Sequence, residues 1–206
     1  IKMGINVKFP NNEEMTFEQG KSIVVLGANG AGKTRFSTRI EELNDTKYNT
    51  WNQEQALLIH RISAQKSLTI NESISIFDLD SASKSLFIGH PDIHANKVSY
   101  RFGNNPVTGL LNDYEKALSL LFAENNSQLQ KAHEVDAIAF KTGIERPAPI
   151  TTVVENATKI WNELLPHRKI DLSGNGVHVE YDGKRYHGKE MSDGERVMLY
   201  MICQVL

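Results

Sequence analysis

Residues 22–26 (Ser-Ile-Val-Val-Leu) run directly into Gly27-Ala28-Asn29-Gly30-Ala31-Gly32-Lys33-Thr34, and a helix-compatible stretch follows at 33–43. A short β-branched run, a glycine-rich turn and a helix, in that order, fit few architectures; the run reads as a strand buried on both faces of an α/β sheet. The turn satisfies Gly-x-x-x-x-Gly-Lys-Ser/Thr in the strand-then-helix setting that the motif requires. Four fixed positions match by chance in a chain of this size on the order of one time in a hundred, before that setting is counted. Such a loop lets the backbone N–H groups of Asn29, Gly30, Ala31, Gly32, Lys33 and Thr34 converge on one anion, and the helix N-terminus adds roughly half a positive charge there. Side chains at positions 30 and 32 are expected to block the approach. Lys33 reaches β- and γ-phosphate oxygens, and the Thr34 hydroxyl is placed to ligate Mg²⁺. Arg35 follows, either touching the α-phosphate or standing exposed on the helix.

The rest of the chain bounds the setting. With 206 residues and 40% apolar side chains, one domain or a large part of one can bury a core without staples. The lone Cys203 forms no internal bridge, and the start carries no signal peptide pattern, so a reducing compartment, the cytoplasm by default, is expected. The longest apolar run, 197–203, is too short to span a bilayer as a helix. A net charge of −2 announces no global basic field for nucleic acid.

Periodicity predicts a two-stranded start across residues 4–17, a long helix or helical hairpin over 112–139, and a second helix from Thr151 that stops at Pro166. Alternation at 177–181 and 185–187 around Asp182-Gly183 predicts a hairpin. Leu172-Ser173-Gly174-Asn175-Gly176 reads as a turn, and residues 81–109 receive no assignment.

Asn96-Lys97-Val98-Ser99 begins like a guanine-reading Asn-Lys-x-Asp, but Ser99 stands where the carboxylate belongs, so ATP is preferred. Met191-Ser192-Asp193-Gly194-Glu195-Arg196 precedes an apolar helix. The plain reading is a capping box, with Ser192 and Glu195 in Ser-x-x-Glu register. It also resembles the signature motif of ABC-type ATPases, in the Ser-x-Gly-Glu form of the SMC, RecF and OLD-like branches. The style of the two motifs together is similar to bacterial ATPases of the OLD-like group, several of which act in anti-phage defence.

That resemblance implies a P-loop NTPase head of α/β class, with an antiparallel β subdomain and phosphate-loop core in residues 1–65, a helical insertion at about 110–166, and a hairpin with signature helix at about 168–206. It implies Ser192, Gly194 and Glu195 acting in trans on the γ-phosphate of ATP held by a second copy, with Mg²⁺ as cofactor. It also implies a glutamine near Mg²⁺ and the attacking water, for which Gln65, after the apolar run 56–62, is the candidate beside the catalytic Lys33. Asp78 and Asp80 are read as turn residues. The strand ending in Asp-Glu that activates water is expected after Leu206, so these residues taken alone are expected to lack turnover. The implied function is an ATP-driven switch, closing as a homodimer or higher oligomer and controlling DNA or a nuclease or other effector. A non-hydrolysing nucleotide-binding interaction module and a small-molecule kinase are the alternatives.

Overall fold

Apolar residues at i, i+3, i+4, i+7 and i+8 build the centre of the molecule. The computed structural model describes residues 4–18, 20–45, 57–64, 66–92 and 95–206. Its longest helix, α4 (Tyr114–Thr142), buries Tyr114, Ala117, Leu118, Leu121 and Phe122 along one stripe. At 29 residues and 1.5 Å per residue it is about 43 Å long. Only its first half meets the core; Leu129, Val135, Ile138 and Phe140 further on are exposed. Helix α5 (Val153–Leu164) packs Val153, Ala157 and Trp161 against that stripe, with Thr152 and Glu155 forming a capping box at its start. The Trp161 indole N–H donates to the Arg168 carbonyl at 2.7 Å, so the largest buried side chain leaves no orphan donor. Helix α6 (Asp193–Val205) closes the cluster with Leu199, Tyr200, Ile202 and Cys203. Helices α4 and α5, in the region expected as an insertion, therefore share one core with α6. Burial pushes the Cys203 thiol up to about 12, leaving it a packed apolar group.

Strands β3 (Lys169–Asp171), β4 (His178–Tyr181) and β5 (Lys184–His187) form an antiparallel sheet. Ile170 and Val179 face each other across it and enter the core. Asp182 and Gly183 take φ of 50° and 71°, the paired left-handed conformation of a two-residue hairpin turn. Residues 172–176 form the expected turn, and its Asn175 carbonyl accepts from the Ile74 amide at 3.0 Å.

The N-terminal part is a separate two-stranded antiparallel sheet, β1 (Gly4–Lys8) and β2 (Glu14–Glu18), beside helix α1 (Lys33–Asn44). Asn44 acts as a further strand partner, accepting from the Lys8 amide at 2.7 Å and donating to its carbonyl at 2.8 Å. Residues 22–26 do not form the doubly buried strand expected of them. They pair with no strand among the described residues, and Ile23, Val24 and Leu26 are 55%, 78% and 88% exposed. Both sheets among the described residues are built from other strands, so the apolar run has no sheet to bury it.

Two short helices fill the unassigned region. In α2 (Leu79–Phe87), Asp78 caps by accepting from the Ser81 amide at 3.0 Å, and Asp80 pairs with Lys84, so both aspartates serve the helix. In α3 (Lys97–Phe102), Asn96 caps by accepting from the Val98 and Ser99 amides. Gly89 has φ +97°, and a Cβ there would lie 2.6 Å from the backbone at Tyr100 and Arg101. Its lack of a side chain seats the end of α2 on α3 just where Arg101 turns inward.

Candidate functional site

The glycine-rich loop closes on its own lysine. Gly30 and Gly32 have φ of +82° and +85°, a region that favours glycine. A Cβ on either meets nothing within 4 Å, so within the protein the demand for glycine comes from backbone conformation, not crowding. The Ala31 amide donates to the Ala28 carbonyl at 3.1 Å, tightening the turn. Lys33 folds back so that Nζ donates to the Gly27 and Ala28 carbonyls at 2.6 and 2.8 Å. Gly32 is the N-cap of α1 and supplies no side-chain cap, as Asp113 supplies none to α4, whereas α2, α3, α5 and α6 are each capped by a side chain. The first amides of α1 are thus left without the local acceptor that those other helices have.

Around this loop, Thr34 and Arg35 are exposed. The Thr34 carbonyl is taken by the Ser37 and Thr38 hydroxyls, both at 2.9 Å, while its own side chain borders a cavity of about 380 Å³ shared with Ser37, Arg61, Ser63 and Thr108. Gln65 lies outside the described residues. No group of three or more His, Cys, Asp or Glu side chains that could hold a metal occurs among the described residues.

The second motif sits at the start of α6. Ser192 Oγ donates to Glu195 Oε2 at 2.6 Å, and the Ser192 amide donates to the same oxygen at 2.8 Å. Ser192 and Gly194 are exposed, but Glu195 is buried. Its other oxygen accepts from the Tyr186 hydroxyl and faces Arg168 at 3.3 Å. Burial pushes the Glu195 carboxyl up, but hydrogen bonds from Ser192 and Tyr186, with the Arg168 charge, outweigh it and hold the group below the ordinary glutamate value. Ser192, Asp193 and Gly194 are the part of the motif that another molecule can touch. Glu195 faces inward and fixes the serine.

Between the two motifs lies a group that sequence patterns do not reveal. Glu41 on α1 accepts from Arg61 Nε at 3.0 Å and pairs with Lys97 at 2.7 Å and Arg101 at 3.7 Å. Lys97 also pairs with Asp45, and Arg101 with Asp113 at 3.2 Å. The Tyr200 hydroxyl of α6 donates to Asp113 at 3.1 Å. All six charged side chains are 10% exposed or less, and the three cations balance the three carboxylates. These residues are scattered over the sequence with no common motif; the Asn96 cap was the one local signal that a helix begins at Lys97.

His60 lies beside this cluster, next to Arg101 and hydrogen-bonded to Gln204 of α6. Burial first, then the Arg101 charge, lowers it from 6.5 to about 4. The folded value lies below the unfolded one, so this contribution is full above about pH 6.5 and is lost as pH falls toward 4, by roughly 3 kcal/mol in all. Urea midpoints of the parent and of His60→Gln between pH 7 and 4.5 test this. The parent is expected to lose more stability across that window, and parallel curves would refute the neutral, buried imidazole.

Among the described residues no helix is long and apolar enough to cross a membrane. Comparison with family models, with curated proteins and with solved structures gives no match.

Proposed function

We propose that this chain is the ATP-binding part of an ABC-type P-loop ATPase, binding ATP with Mg²⁺ at residues 27–34 and closing with a second copy around the nucleotide as a switch. The observation that carries this reading is the pairing of a lysine ammonium curled into a glycine-rich turn with a helix N-terminus that no side chain caps. Backbone amides, a helix N-terminus and one cation thus lie together in one short segment, which suits the charge of a polyphosphate. Lys33 exchanges its two loop carbonyls for phosphate oxygens, a stronger partner. The exposed Thr34 hydroxyl is the protein's ligand to Mg²⁺, which neutralises phosphate charge when bound. The exposed Ser192 and Gly194 at a second helix N-terminus support the same reading, since they can meet the γ-phosphate presented by another copy. DNA or a nuclease-type effector is the partner the switch controls in this proposal.

Titrating a fluorescent ATP analogue into the parent and into Lys33→Ala tests it. Two charge-assisted hydrogen bonds disappear in the variant, so affinity is expected to fall about a hundredfold or more. Melting curves are expected to coincide within a few degrees, because the carbonyls left behind are exposed and water replaces the ammonium. Equal affinity in the two proteins would sink the assignment.

A further inference from the structure

Helix α1 is held through buried polar side chains. Its buried side chains are Thr38, Glu41 and Asn44, all polar, while the apolar Phe36 only leans on Phe9 at a ring-centroid distance of 6.0 Å. Glu41 stands about 12 Å along the helix from Lys33, two turns on. An apolar stripe slides over its neighbours at small cost. A buried carboxylate cannot, because any shift of α1 must be followed by its cations or leave charge uncompensated in a dry interior.

Those cations lead to α6. Arg101 spans Glu41 at 3.7 Å and Asp113 at 3.2 Å, and Asp113 is the residue just before α4. Asp113 makes no side-chain cap to α4. Its carboxylate instead accepts from Tyr200, two turns into the helix that Ser192 begins. A continuous chain of buried ion pairs, ended by the Tyr200 hydrogen bond, therefore joins α1 to the helix that carries the second motif.

We infer that Glu41, Arg101, Asp113 and Tyr200 are positioning residues, a linkage through which occupancy of the phosphate loop sets the placement of the Ser192 end of α6. This rests on the nucleotide-binding reading given above. None of the four touches the nucleotide; they act through the two helices that do. The linkage works in both directions, so what seats on Ser192 also biases the phosphate loop.

Hydrogen exchange of α6 amides, followed by mass spectrometry on the intact protein with and without a non-hydrolysable Mg-ATP analogue, tests the linkage. Tyr200→Phe removes only the hydroxyl that ends the chain. Tyr114→Phe is the matched control: its ring packs 5.9 Å from Tyr200 in the same core, and its buried hydroxyl has no hydrogen-bond partner among the described residues. The analogue is expected to slow exchange at the start of α6 about threefold or more in the parent and in Tyr114→Phe, a modest population shift. In Tyr200→Phe that response is expected to vanish while analogue affinity stays within about threefold. Glu41→Gln, at the far end, should lose the response as well and serves if Tyr200→Phe does not fold. A response in both variants equal to the parent's overturns the linkage, as does a parent that binds the analogue with no change in α6. A parent that binds no analogue overturns the nucleotide reading and the linkage with it.

Discussion

Arg101→Ala is expected to lower the unfolding free energy by about 3–5 kcal/mol, a large share of what a domain of this size has to lose. The Arg101 side chain is 2% exposed and answers two carboxylates, Glu41 and Asp113, besides donating to the Arg61 carbonyl at 3.0 Å. Its removal leaves Asp113 with a tyrosine hydroxyl as its remaining named partner, in a site water does not reach. The penalty comes from the orphaned charge more than from the lost attraction, so Arg101→Ala combined with Asp113→Asn should recover part of the loss. Arg101→Lys is expected to rescue poorly, because an ammonium cannot span two acceptors in a fixed plane as a guanidinium does. Urea unfolding of the four proteins at pH 7 measures this. A loss below about 1 kcal/mol in Arg101→Ala would mean that water enters the cluster and that it behaves as surface ion pairs do.

The cluster also shows where reading the sequence reaches its limit. Helix α6 and its cap at Ser192 were legible because Ser-x-x-Glu and an apolar stripe are local signals, and the hairpin at Asp182-Gly183 was legible for the same reason. Residues 33–43 announced α1 nearly to its end at Asn44. Helices α2 and α3 were not legible: they are short, and α3 turns Lys97 and Arg101 inward, so polarity points away from burial. A pattern method that equates charge with surface fails there, because the partners that make such burial affordable lie more than 50 residues away for Lys97 and Asp45. Residues 22–26 fail for the opposite reason. Their composition demands a neighbour on each face, and neither sheet among the described residues provides one. The candidate site itself divides the same way. The glycine-rich loop and Ser192 were named from local spelling, whereas the inward turn of Glu195 depends on Tyr186 and Arg168 from other elements.

Ser192 is where capping and recognition separate by experiment. Ser192→Ala removes one acceptor for the Glu195 amide and one donor to its carboxylate, and should cost about 1 kcal/mol of stability. Glu195 keeps Tyr186 and Arg168, so the start of α6 stays folded. Ser192→Arg goes further, placing bulk and positive charge at an exposed helix N-terminus whose dipole already repels cations. Ser192 is exposed, so the fold has room for it at about the same loss of the cap as in Ser192→Ala, and each monomer should bind an ATP analogue within about threefold of the parent, since the glycine-rich loop is a different part of the chain. A second copy presenting its own nucleotide to that surface meets an obstruction. Sedimentation of the intact protein with a non-hydrolysable Mg-ATP analogue is therefore expected to show a nucleotide-dependent dimer in the parent, a weakened one in Ser192→Ala, and none in Ser192→Arg. A Ser192→Arg protein that dimerises as the parent does would reduce Ser192 to a cap and leave a phosphate-loop nucleotide binder with no claim to a partner's phosphate.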